Sequence, residues 1–156
     1  MSTLHLLDPF YYSDNAMAIA TSSASLSAIS SATVVVVICR SQVKLSSVYN
    51  RIIFATSVCD LIGSVSIAFT TLLMPVDQIY PFKHAHGTVS TCEVQGFLIT
   101  FFSGCCLLYS GGLSLFHLCL INLKMSDKMI RNILEPAIHV LSLSIPFCFC
   151  VSDPYS

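Results

Sequence analysis

Residues 52–74 form a run of 23 residues with a single ionisable side chain, Asp60, lying between Arg51 and Pro75. At helical rise the run spans about 34 Å, enough to cross a hydrocarbon core of about 30 Å with some tilt. A carboxylate inside lipid is costly, so Asp60 is expected to face other helices, either as an ion or proton site or as a protonated, hydrogen-bonded structural group. Thr56, Ser57 and Ser64 share its helix face and offer it hydroxyls.

The rest of the chain keeps this run in a membrane. Charged residues make up 10% of the sequence and mean hydropathy is +0.79, whereas a soluble domain carries about 25% charged residues. Too little polar surface exists to face water, so the fold class is all-α, an integral membrane helical bundle. No basic arm or stripe is present, which argues against nucleic acid. Phosphate-loop, dinucleotide, nucleophile-elbow and metalloprotease motifs are all missing, so no enzyme activity and no cofactor are expected.

Three further apolar runs join residues 52–74. Residues 16–39 carry no charge and repeat alanine every fourth position (Ala16, Ala20, Ala24, Ala28, Ala32), a stripe that favours close helix packing. Residues 94–123 are also uncharged. Gly104, Gly111, Gly112, Ser103, Ser110 and Ser114 give this run a small-residue surface suited to the bundle centre. Residues 133–151 complete the set. Asn132 with Glu135 is read as an N-cap with an acid in the first turn, and Pro146 as a kink. Four spans in residues 16–151 are thus expected, flanked by external tails at 1–15 and 152–156.

The charges orient the bundle. Six of the seven basic residues lie in the stretches 40–51 and 124–131: Arg40, Lys44, Arg51, Lys124, Lys128 and Arg131. By the positive-inside rule both stretches are cytoplasmic and both termini external. Counting helical rise from the basic ends, Asp60 lies about 12 Å deep and His117 and His139 about 9 Å, so the three are expected to share a level. His84 and His86 read as solvated loop histidines. The eight cysteines show no zinc spacing. Cys92, Cys148 and Cys150 fall near the external end, where the compartment permits a bridge, with Cys92–Cys150 the preferred pairing.

The basic loop, VYNRIIFATSVCDLIGS, the MP that follows, C-x-x-Q-G-F at 92–97, a long third run and a second basic loop resemble the amino-terminal half of a seven-helix G-protein-coupled receptor. The likeness is closer to the cyclic-AMP-receptor-like and related protist receptors than to the mammalian rhodopsin pattern. It covers residues 16–151. It implies that Asp60 corresponds to the second-helix acid that binds sodium, and that Cys92 corresponds to the cysteine at the top of the third helix, which bridges to the second external loop. It also implies plasma-membrane signal transduction with a heterotrimeric G protein, or association with a full-length receptor relative. The chain departs from the family in the Asp/Glu-Arg-Tyr triplet, absent from HLCLINLKM, and in having no tryptophan. Only four of seven helices are present, so a truncated receptor is the expectation. Two other readings are a non-receptor tetraspan scaffold or accessory subunit, and a proton or ion transport module using Asp60.

Overall fold

The computed structural model describes residues 14–42, 45–70 and 87–152. Four long helices carry these residues: α1 (Asp14–Arg40), α2 (Val48–Ala68), α3 (Val89–Ile121) and α4 (Asp127–Ser152). All four are long and apolar enough to cross a membrane. No strand forms among the described residues. The expected all-α, four-span architecture is therefore present, with each helix packed on the next in sequence and α3 lying between α2 and α4.

The helices begin earlier than the apolar runs. α2 starts at Val48, so Arg51 sits in its first turn rather than in a loop. α3 starts at Val89 because Thr88 and Thr91 form a reciprocal capping box: the Thr91 N–H donates to Thr88 Oγ1 at 3.4 Å, and the Thr88 N–H donates to Thr91 Oγ1 at 2.8 Å. Cys92 thus lies inside a helix. α4 starts at Asp127, six residues before the expected boundary, and takes Lys128 and Arg131 with it. Asn132 is not a cap. It lies in a π turn, Ile130–Leu134, which closes with the Glu135 N–H bonded to the Ile130 carbonyl. Pro136 follows directly. It has no N–H for the Asn132 carbonyl and its ring crowds that oxygen, which a wider turn relieves. Between α3 and α4, Lys124 takes a left-handed φ of 45°, and the Met125 N–H returns to the Cys119 carbonyl at 3.2 Å. Lys44 and the histidines at 84 and 86 fall outside the described residues, as do both tails beyond 14–152.

The buried core is small and lies along α3: Ile52, Cys59, Cys105, Tyr109, Phe116, Ile130 and Ile138. Large apolar side chains such as Ile29, Val37, Leu107, Val140 and Phe149 point outward on every helix. In water this surface would aggregate; in a bilayer it is the solvent-matched face.

Small residues set the close contacts, but only some of those expected. A Cβ on Gly112 would lie 2.6 Å from Ile138 Cγ2, and one on Gly104 would lie 3.1 Å from Pro146 Cβ, so these two glycines receive α4. Gly111 meets nothing within 4 Å, and Ser103, Ser110 and Ser114 are exposed. On α1 the buried positions are Ala24, Ser31 and Ile38, seven apart. The four-residue alanine repeat drifts about 40° per step around a 3.6-residue helix, so it cannot stay on one seam; Ala20 is exposed. Gly112→Ala should cost about 1–3 kcal/mol through overpacking. Gly111→Ala should be neutral or stabilising by up to about 1 kcal/mol. Thermal unfolding of the purified chain in nanodiscs checks the contrast.

Candidate functional site

Asp60 lies twelve residues into α2, about 18 Å from the helix start and near the middle of that helix. Its partners come from α1. The Ser27 hydroxyl donates to Oδ2 at 3.0 Å, and the Ser31 hydroxyl donates to the same oxygen. Ser27 and Ser31 are four apart and share the face of α1 that meets α2. The same-helix hydroxyls do not serve Asp60: the Thr56 hydroxyl donates to the Ile52 carbonyl at 2.8 Å. Among the described residues no donor reaches Oδ1.

Asp60 borders a cavity of about 310 Å³ between α2 and α3. Ser64 on α2 and Ser103 and Ser110 on α3 also line it, beside Cys59 and Cys106. One carboxylate among hydroxyls is an all-oxygen donor set that suits a hard monovalent cation or a proton. Among the described residues no three His, Cys, Asp or Glu side chains converge on a transition-metal site.

The histidines do not join Asp60. His139 Nδ1 lies 2.9 Å from the Tyr109 hydroxyl, joining α4 to α3. His117 is exposed and near the end of α3; its Nδ1 lies 2.9 Å from the Leu113 carbonyl of its own helix, and its ring meets Tyr49 edge-on. Nor does a bridge form at the other end: neither Cys92 nor Cys150 is in a disulfide, and neither are the other six cysteines. Cys92 is held in the first turns of α3 and Cys150 is buried within α4.

Two polar ties were not legible in the sequence. Arg51 and Glu135 form a bidentate ion pair between α2 and α4: Nη2 donates to Oε2 at 2.6 Å, and Nε faces Oε1. Arg51 Nη1 also reaches the Leu45 carbonyl at 3.4 Å. The pair puts the starts of α2 and α4 at one end of the bundle, so the two basic stretches share that end. Gln95, buried in α3, donates from Nε2 to the Ser66 carbonyl and to Thr70 Oγ1, both at 2.8 Å. Ser66 lies in the last turn of α2, and its carbonyl also accepts from the Thr70 hydroxyl at 3.4 Å. An uncharged amide inside an apolar run was the available signal for Gln95. For Arg51 and Glu135 it was one cation and one anion, each close to the start of its span.

No family model, curated protein or solved structure matches the chain.

Replacing Arg51 or Glu135 singly with glutamine should destabilise the bundle by about 1–3 kcal/mol, because each change leaves a half-buried charge without its partner. The double variant should recover part of that loss. A double-mutant cycle on thermal unfolding in nanodiscs measures the coupling.

Proposed function

We propose that this chain is a multi-pass membrane protein of receptor type, built on the first four helices of the seven-helix G-protein-coupled receptor plan and acting in signal transduction. The observation that carries the reading is Asp60. A lone carboxylate near the middle of α2, bonded to α1 through Ser27 and Ser31 and bordering a cavity against α3, matches what the resemblance implies for the second-helix acid. The clustering of basic residues at one end supports that end as the cytoplasmic side, with both termini outside and the plasma membrane as location. The Cys92–Cys150 bridge is not part of the reading, since the two cysteines are not disulfide-bonded.

In this reading Asp60 holds sodium through Oδ1 and the cavity hydroxyls while Oδ2 keeps its bonds to α1. Exchanging choline chloride for sodium chloride at constant ionic strength should then raise the melting temperature of the purified chain. The gain is about 1.4 kcal/mol when sodium stands tenfold above its dissociation constant. Asp60→Asn should abolish the difference, and an identical sodium response in that variant would remove the site.

The receptor role is tested separately. A tagged chain expressed in cells should co-purify a heterotrimeric G protein, alone or through a full-length receptor relative, and non-hydrolysable GTP should release it. Recovery of other membrane proteins without any G protein would favour a tetraspan scaffold or accessory subunit.

A further inference from the structure

At the basic end of the bundle, away from Asp60, a cleft of about 670 Å³ opens between the segment preceding α2, the last turns of α3 and the first turns of α4. That size lies within the range of small-molecule sites, about 300–1,000 Å³. Its floor is apolar, made by the buried Phe116 and Ile130. Its rim is polar and carries Lys128 and Arg131, three apart on α4 and both exposed. Neither cation pairs with a carboxylate among the described residues, whereas Arg51 nearby is held by Glu135. Ser47 and Asn132 add a hydroxyl and an amide at the rim. Arg131 and Asn132 belong to the π turn, a distortion often found where a helix serves a site.

We infer that this cleft binds a phosphate monoester, presented as the headgroup of an anionic membrane lipid. Arg131 offers a planar fork that matches phosphate oxygens, and Lys128 a compact charge beside it. The hydroxyl and amide satisfy the remaining oxygens. Leu120, exposed on α3, also lines the cleft and joins its floor to the outward apolar surface, which favours a ligand that is part of the bilayer over one free in water. Basic pockets between helices at the membrane surface take such headgroups. Asp127 also lines the cleft and offsets one of the two cations, leaving a net charge of +1 from the three side chains. It limits affinity for any anion, so its removal has a defined sign. The inference needs the helices to lie in a membrane; it does not need a G protein or the sodium site.

The test uses the full chain in phosphatidylcholine nanodiscs doped with phosphatidylinositol 4-phosphate, or with phosphatidylserine at matched charge. Lipid retention is read by native mass spectrometry. The phosphoinositide should be retained about tenfold more strongly than phosphatidylserine. The double variant Lys128→Gln/Arg131→Gln should lose about thirtyfold, at about 1 kcal/mol per cation. Lys124→Gln, outside the cleft, should change retention by less than about twofold. Asp127→Asn should tighten binding about fivefold, a gain that misfolding cannot mimic. Equal retention of the two lipids, or unchanged retention in the double variant, would overturn the proposal. In a second arm, inositol phosphates and inorganic phosphate are added to undoped nanodiscs and the thermal shift is read. A shift that saturates with these soluble anions and disappears in the double variant, without any lipid preference, would assign the cleft to a free phosphate compound and overturn the lipid source.

Discussion

In a bilayer, apolar side chains gain nothing by leaving lipid for one another. Helices are held instead by close backbone approach and by polar groups that have no better partner. This constraint explains why so much of the apolar surface points outward and why the buried core is only a few residues. What holds the bundle is a series of cross-helix polar contacts. Ser27 and Ser31 join α1 to Asp60 on α2. Gln95 joins α3 to the end of α2. Tyr109 joins α3 to His139 on α4, and Arg51 joins α2 to Glu135 on α4. Each contact removes a polar group from hydrocarbon, where leaving it unpaired costs several kcal/mol.

The contacts are distributed along the bundle axis. Arg51–Glu135 fixes the basic end, Asp60 and His139 lie about midway, and Gln95 closes the opposite end. Between these levels α3 receives α4 at Gly104 and Gly112, eight residues apart on one face. Polar ties set which helices are neighbours, and the glycines set how closely α3 and α4 approach. α1 differs from the rest. It packs chiefly on α2, its buried positions are few, and its tie is two hydroxyls on one carboxylate oxygen.

Much of this was legible in the sequence because lipid imposes a simple rule: long uncharged runs must be helices. The four spans follow from that rule, and so does the expectation that a carboxylate within one of them meets another helix, as Asp60 meets α1. Helix starts were misread because turns outside the apolar runs still form helix. A capping box does this at Thr88–Thr91, while α2 from Val48 and α4 from Asp127 start without a side-chain cap. Site partners were misread for a different reason. Depth counted along each helix says nothing about which way a side chain points, so Asp60, His117 and His139 looked like one cluster. Their rotation about three helix axes gives them different neighbours. Glu135 shows the same limit: its spacing from Asn132 fits a local cap, but α4 already begins at Asp127, Asn132 lies inside the π turn, and the carboxylate is left for Arg51.

The two oxygens of Asp60 differ in their surroundings. Oδ2 accepts from Ser27 and Ser31 on α1, no donor among the described residues reaches Oδ1, and the residue borders the cavity between α2 and α3. The two oxygens share one delocalised charge, so they cannot act independently. A cation or proton at Oδ1 withdraws charge from Oδ2 and weakens what Ser27 and Ser31 receive. An empty cavity leaves the full charge to those hydroxyls. The contact that would feel that change is the packing of α1 on α2. On the proposed reading, the charge state of a single carboxylate would set the strength of one helix contact. Such a coupling would need an ionisable group, which the uncharged amide of Gln95 does not supply.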